Sequence, residues 1–272
     1  MASSSPSSWW KIATRVHGRN DGYWGPVDAN HQFCEPHYTS TIYLAECWNA
    51  FSSLIYCVMA VYLYYFNPRL FVDDQHRRHV SWMCGWLAMI GLGSFLFHGT
   101  MRRSMQFLDE GPMVGLITSS ILWKVDKQPQ QQKHSSWRIG IRIPSTHPTV
   151  VRYFFGGLGV SLVVLYAWLD CYELFVHGFA ALCVVDQLVL TTDSCNNKKK
   201  KKKNESGKGY RQKGIVLILI GKVLWEVENR GCEAYPSVWP LHVLWHFLSA
   251  GSAYCLVIYN ASLSGAVRRK LE

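Results

Sequence analysis

Residues 93–113 read GSFLFHGTMRRSMQFLDEGPM, and this stretch sets the architecture that we expect for the whole chain. It lies where two apolar segments meet, and it brings Ser94, His98 and Asp109 close together. Ser94 and His98 are four residues apart, so on a helix they share one face. The stretch therefore predicts two helices joined by a short turn, with a polar group at their junction.

The remaining sequence repeats this alternation of apolar segments and short polar links. Of the 272 residues, 49% are hydrophobic and 17% are charged, and the charge is concentrated in a few loops and the tails. Long apolar runs with Trp and Tyr near their ends are typical of membrane-spanning helices. We therefore predict an all-α polytopic membrane protein, a seven-transmembrane-helix bundle. Its helices are predicted at Ile42–Phe66, His79–His98, Met105–Trp123, Val150–Leu169, Glu173–Thr192, Gly214–Glu228 and Trp239–Tyr259.

Basic residues predict the orientation of this single domain, which takes in residues 1–272. Most of the 28 Lys and Arg residues fall in loops on one side, which the positive-inside rule assigns to the cytosol. Residues 1–41 then form a lumenal arm and cap, 193–213 a cytosolic polybasic loop, and 260–272 a cytosolic tail. The run Lys198–Lys203 is either a solvated loop or a contact for anionic lipid. Because the net charge of +10 comes largely from such loops, we expect no nucleic-acid partner.

Ionisable side chains of the predicted helices gather at one depth, in a layer toward the outer leaflet. Such groups are costly in a membrane and usually face the interior of a bundle. A single layer favours a functional site over isolated structural groups. Its members are Glu46 one turn into the first helix, His98, Asp109, Glu110, Glu226, Glu228, His242 and His246.

The histidines of this layer predict a zinc site. His242 and His246 are four residues apart, so both imidazoles can bind one metal ion, although they could instead be interfacial histidines. With His98 they give three neutral ligands and one open position, the pattern of a catalytic zinc that activates water. Such a site near the outer (lumenal) leaflet suits a lipid whose scissile bond lies just below the headgroups.

Two further polar residues of the layer could take part in hydrolysis. Asp109 could move a proton from water to a leaving amine, and Ser94 could donate a hydrogen bond to a developing oxyanion. Each has a structural alternative. Asp109 could be a charge that favours a helix N-terminus, and Ser94 a small residue at a close helix contact.

These residues belong to a longer pattern, over about residues 22–260, that resembles the alkaline ceramidases. Those proteins are seven-helix zinc amidohydrolases of the superfamily that includes the adiponectin receptors. The GYWGP start and the QxLDE block are specific to ceramidases, whereas the Ser, His, Asp and HxxxH set belongs to the whole superfamily. The matching pieces are GYWGP at 22–26, Cys34-Glu35, YLAE at 43–46 with Trp48-Asn49, Gly93-Ser94 with Phe97-His98, MQFLDE at 105–110 with Pro112-Met113, Trp225, Cys232-Glu233, and His242 with Trp245-His246.

The resemblance implies a membrane enzyme of the endoplasmic reticulum or Golgi. Its substrate would be a ceramide, dihydroceramide or phytoceramide, cleaved at the amide to a sphingoid base and a free fatty acid. His98, His242 and His246 would bind zinc, Asp109 would shuttle the proton, and Ser94 would lie beside the reacting water. The alternative is a receptor or another lipid hydrolase of the same superfamily.

The resemblance also implies a calcium site and a disulfide on the lumenal side. The calcium ligands would be Gln32, Phe33 through its carbonyl, Glu35, His37 and Glu46. The family usually has Asp where this chain has Gln32 and Asn where it has His37. Because calcium prefers oxygen ligands, it is bound weakly or not at all here, and Glu35 could be an ordinary exposed acid. The implied disulfide joins Cys34 to Cys232, which agrees with an oxidising compartment.

Overall fold

The apolar runs of the sequence form long helices in the computed structural model, which describes residues 21–71, 73–127, 148–189 and 205–263. A short hairpin of β1 (Asp21–Gly22) and β2 (Gly25–Pro26) precedes them. Two 3₁₀ turns lie at Pro68–Leu70 and Pro236–Val238. The helices are α1 Cys47–Ser53, α2 Ile55–Phe66, α3 Asp74–Thr100, α4 Arg103–Lys127, α5 Pro148–Leu169, α6 Tyr172–Leu188, α7 Glu205–Gly231 and α8 Pro240–Ser262. The predicted all-α fold is thus confirmed.

Four helical segments are long and apolar enough to cross a membrane. They are Cys47–Phe66, Asp74–Thr100, Thr149–Leu169 and Pro236–Ser262, as found in the part of the chain that the structure describes. Their outer surfaces carry large apolar side chains, such as Tyr153 and Trp168 of α5, which are 77% and 80% exposed. Exposure of so much contiguous apolar surface is unfavourable in water and favourable in lipid. The chain is therefore a membrane protein.

The first predicted helix begins later than expected. Residues 42–46 are not helical, and α1 starts at Cys47. The backbone N–H groups of Ala45 and Glu46 donate to the carbonyls of Gly99 and His98, at 2.8 and 2.9 Å. This pairing fixes Ala45 and Glu46 against the end of α3, so they cannot join a helix. The prediction that Glu46 lies one turn inside the first helix is wrong, because Glu46 is the residue before it.

Other predicted bounds also shift. Helix α7 begins at Glu205 and so takes over the end of the predicted polybasic loop 193–213, while α8 extends to Ser262, inside the predicted tail 260–272. The fifth helix, predicted to reach Thr192, ends at Leu188. The Lys198–Lys203 run, residues 1–20 of the arm and residues 264–272 of the tail lie outside the described residues.

The turn between α3 and α4 brings two site-bearing helix ends to one side of the bundle. Met101 ends α3 in the left-handed conformation, with φ of 50°, which stops a helix within one residue. Its carbonyl accepts the N–H groups of Asp28 and Ala29. A small apolar core then ties the segment before α1, here called the cap (residues 21–46), to the helices. That core consists of Phe33, Tyr38, Ala45, Phe97, Met101 and Trp225.

Candidate metal centre

Three histidines from two helices meet in the interior of the bundle. The last turn of α3 supplies His98, and the first two turns of α8 supply His242 and His246. One ring nitrogen of each lies within 4.8 Å of those of the other two, and each side chain is at most 2% exposed. Within the described ranges, this group is the one cluster of His, Cys and acidic side chains at ligand spacing. The geometry suits one metal ion.

The other ring nitrogen of each imidazole already faces a partner. Nδ1 of His98 lies 2.6 Å from Oε2 of Glu46, and Nδ1 of His242 lies 3.4 Å from Oε2 of Glu228. A carboxylate only accepts hydrogen bonds, so Nδ1 of His98 donates and its Nε2 keeps its lone pair. Nδ1 of His242 makes no hydrogen bond at its longer distance from Glu228.

The third histidine has a hydroxyl partner. Nδ1 of His246 lies 2.8 Å from Oγ of Ser52. That hydroxyl donates its own proton to the carbonyl of Asn49, at 3.0 Å, so it accepts from the imidazole. The Nε2 lone pairs of His98 and His246 are therefore left to meet an ion, as those of metal-binding histidines usually are, and His242 lies at ligand spacing from both. The residues present fit a zinc ion.

Asp109 and Ser94 lie beside this cluster because α3 and α4 approach very closely. A Cβ atom placed on Gly93 would lie 2.0 Å from the carbonyl oxygen of Leu108 and 2.9 Å from the backbone nitrogen of Asp109. Only glycine permits that contact. As a result the Ser94 hydroxyl reaches the Asp109 carboxylate, and Asp109 interacts electrostatically with His98.

The cap covers the histidines at the end of the bundle where α3 ends and α8 begins. The ring of Phe33 packs on His242 and His98, with centroids 3.9 and 4.9 Å apart. The next residue, Cys34, donates its backbone N–H to Oε1 of Glu228 at 2.7 Å, and its sulfur is bonded to that of Cys232. This is the pairing that the resemblance implied. The cap therefore covers the centre and also holds one of its supporting carboxylates.

The residues expected for calcium lie in the same cap. Glu35 is buried, unlike an ordinary exposed acid, and its two carboxylate oxygens accept the N–H groups of Trp48 and Asn49, each at 2.8 Å. Burial raises the pKa of Glu35 to about 7, with a further contribution from the nearby Glu46 carboxylate. His37 Nε2 lies 3.2 Å from Oε1 of Glu46. Glu46 therefore lies between the cap and the histidine cluster. Oε1 of Gln32 is buried with no hydrogen-bond partner.

The sequence predicted the three histidines, Ser94 and Asp109, and the structure brings them together. It did not predict the roles of Ser52 and Glu228. Glu228 could have been found from its spacing, because it lies three residues after Trp225 and four before Cys232, on one helix face. The neighbouring Glu226, predicted to join the same layer, instead pairs with Lys222 and Arg230 near the surface.

A cavity of about 350 Å³ begins directly below the histidines. Its upper wall contains residues one helical turn deeper than the site: Ile90 below Ser94, Met113 below Asp109, and Ser249 below His246. From Trp245 to Tyr259 it follows α8 over about 21 Å. Its walls are mostly apolar, and Val184 and Leu219 on its side are also exposed on the outer surface of the bundle. The metal centre therefore lies at the head of an apolar cavity beside the lipid.

Comparison with known proteins agrees with this geometry. The family described as Ceramidase matches residues 25–270. The chain is 36% identical to alkaline ceramidase 3 of Mus musculus, over 88% of this chain and 85% of that protein. It is 25% identical to an alkaline ceramidase of Arabidopsis thaliana, over 86% and 83%. An alkaline ceramidase of Saccharomyces cerevisiae is 24% identical, over 87% and 77%.

Proposed function

The chain belongs to the ceramidase family, and from that premise we propose that it hydrolyses the amide bond of ceramides. The products are a sphingoid base and a free fatty acid. The observation that carries the proposal is the arrangement of three buried histidines at ligand spacing at the head of an apolar cavity. A lipid with a polar head and an apolar tail fits both parts of this site.

We infer that His98, His242 and His246 hold a zinc ion. When bound, zinc supplies Lewis acidity toward the amide carbonyl and toward water. Asp109 is the base that takes the proton of the attacking water and delivers it to the leaving nitrogen. Ser94 donates its hydroxyl proton to the oxygen on which negative charge develops.

The cavity supports a pose for the substrate. Apolar side chains gain nothing from water, so a hydrocarbon tail is the natural occupant of a cavity that begins one turn below the histidines. A tail in that position holds the amide next to Asp109. The exposed wall at Val184 and Leu219 lets the lipid enter from the bilayer without crossing water.

The seven helical segments 47–66, α3, α4, α5, α6, α7 and α8 all cross the membrane in this proposal. The N-terminus is lumenal and the C-terminus cytosolic, in the endoplasmic reticulum or Golgi. The chain is a single domain, with a cytosolic loop before α7 and a cytosolic tail after α8. The Lys198–Lys203 run then faces the anionic cytosolic leaflet. Glycosylation sequons introduced at each end of the chain test the orientation, since only a lumenal sequon acquires a glycan.

We propose that the cap binds calcium weakly, through Gln32, the Phe33 carbonyl, Glu35, His37 and Glu46. Burying Glu35 and Glu46 together is electrostatically unfavourable, and a cation between them would relieve it. However, Gln32 brings no charge and His37 no oxygen. Calcium titration of the wild type and of a Gln32→Asp/His37→Asn double variant tests this. We expect the double variant to bind more tightly, and equal affinities would contradict the proposal.

The central experiment measures release of sphingoid base from ceramide, dihydroceramide and phytoceramide by protein purified in detergent. We expect the wild type to cleave at least one of them. Asp109→Asn should lose turnover and keep its zinc, whereas His242→Ala should lose both. Asp170→Asn, which changes an exposed carboxylate paired with Arg103, is the matched control. No release from folded, zinc-loaded wild type on any substrate would overturn the proposal and favour a receptor or another lipid hydrolase.

A further inference from the structure

The apolar cavity ends in polar side chains at the end away from the histidines. Its lining there includes Gln187 of α6, Tyr210 and Arg211 of α7, and Tyr259 of α8. Between these and the metal centre the wall is made mostly of Leu, Ile, Met, Phe and Ala side chains. A hydrocarbon tail that extends down the cavity therefore meets a guanidinium group at its far end.

Arg211 is held in place by hydrogen bonds to one residue of α6. Its Nε donates to Oε1 of Gln187 at 2.9 Å, and its NH2 group donates to the backbone carbonyl of Gln187 at 2.8 Å. The Gln187 amide in turn donates to Oδ2 of Asp186 at 3.1 Å. Two donors in a fixed fork fix the guanidinium more firmly than a single contact would.

A buried ion pair anchors this chain of contacts. Lys124 Nζ lies 2.6 Å from Oδ2 of Asp186, and Ser120 donates to Oδ1 of the same carboxylate at 2.6 Å. Lys124 and Asp186 are at most 1% exposed. Because removing either partner would leave a buried charge unpaired, Asp186 cannot swing away. The Arg211 side chain is therefore fixed in position at the polar end of the cavity. A mobile surface arginine, by contrast, would be displaced easily by a longer tail.

We propose that Arg211 and Gln187 set the maximum length of the hydrocarbon tail that the cavity accepts. This inference rests on the proposed function and adds a specificity determinant to it. A tail that stops short of Arg211 gains affinity with every methylene it buries. A longer tail has to displace the Arg211–Gln187 hydrogen bonds or bend back, and so gains nothing from its extra carbons.

The test uses ceramides whose acyl chains lengthen by two carbons at a time, and a second series in which the sphingoid base lengthens instead. For the wild type, kcat/KM should rise with length and then stop rising in one of the two series, which identifies the tail in the cavity. Arg211→Met replaces the guanidinium with an apolar side chain. It should move that limit to longer chains, with a gain of up to about fifteenfold for one two-carbon step. Gln187→Leu removes the partner and should move the limit in the same direction.

Lys213→Met is the matched control. It removes a positive charge from the exposed surface two residues further along α7, and it should leave the limit where the wild type has it. If Arg211→Met and Gln187→Leu fold and keep the wild-type limit, the proposal is wrong. If the control moves the limit as far as Arg211→Met does, general charge is the cause, and the proposal is again wrong.

A binding measurement separates this proposal from the proposed function. Thermal unfolding midpoints of the Asp109→Asn variant are recorded with each ceramide, so that no substrate is consumed. Midpoints that rise with tail length and level off support the length limit, since stabilisation follows affinity. This support does not depend on turnover. If the wild type hydrolyses no ceramide, the proposed function is overturned, but the length limit is not. Midpoints independent of length would overturn the length limit alone.

Discussion

Replacing Glu228 with glutamine isolates the contribution of a carboxylate that lies beside His242, a proposed metal ligand. Oε1 of Glu228 accepts the Cys34 N–H at 2.7 Å, and Oε2 faces Nδ1 of His242 at 3.4 Å. A glutamine keeps an oxygen for Cys34 and loses the negative charge beside His242. The cap should stay in place, so the change acts on the imidazole alone.

The size of the effect follows from the distances. Loss of such a supporting partner typically lowers metal affinity by about 10- to 100-fold, or roughly 1.4 to 2.8 kcal/mol. The 3.4 Å contact of Glu228 is longer than the 2.6 Å contact between Glu46 and His98. We therefore expect about tenfold weaker zinc binding for Glu228→Gln and a loss nearer a hundredfold for Glu46→Gln.

The assay is competition for zinc between the purified protein and a coloured chelator, with circular dichroism to verify the fold. Glu226→Gln is the matched control on the same helix, because Glu226 makes exposed pairs with Lys222 and Arg230. Pairs of that kind contribute about 1 kcal/mol or less, and the zinc affinity should not change. Equal zinc affinities for Glu228→Gln and Glu226→Gln, with both proteins folded, would refute the reasoning.

Three further outcomes are expected. Asp109→Asn should lower kcat by at least about a hundredfold with an unchanged zinc content by elemental analysis, and turnover close to wild type would exclude Asp109 as the base. Gly93→Ala should destabilise the protein by about 1–3 kcal/mol in thermal unfolding, because its Cβ would lie 2.0 Å from a backbone oxygen. Gly111→Ala, whose Cβ meets nothing within 4 Å, is its control and should be neutral or stabilising. Lys124→Met should cost about 3–5 kcal/mol by leaving Asp186 unpaired, and combination with Asp186→Leu should restore most of that loss; a double variant as unstable as the single one would contradict the ion-pair argument.

The sequence predicted the helices and the shared helix face of His242 and His246 because both depend on local patterns. Long apolar runs indicate membrane-spanning helices, and the four-residue spacing of His242 and His246 places both on one helix face. The start of the first helix was predicted wrongly because it is set by a distant contact. The backbone N–H groups of Ala45 and Glu46 donate to carbonyls at the end of α3, and no local sequence pattern predicts these hydrogen bonds.

The supporting partners of the histidines show the same limit. The spacing of Glu228 from Trp225 and Cys232 indicates its helix face, but only the packing of α7 against the cap shows that its carboxylate accepts the Cys34 N–H. Ser52 is one of two adjacent serines, and its contact with His246 depends on how α1 lies against α8. Helix periodicity indicates which face a residue occupies, but it does not indicate what that face meets.

The contact between Ser52 and His246 joins residues 194 positions apart, and this has a consequence for biosynthesis. Translation at about 5–20 residues per second separates the two by roughly 10 to 40 seconds. During that time α3 follows α1 into the membrane, while the last helix is still to be synthesised. Glu46 and His98 can pair early, but the histidine cluster is complete only when α8 is added. A nascent chain released before α8 lacks His242 and His246, so premature termination gives an inserted protein without the complete histidine cluster.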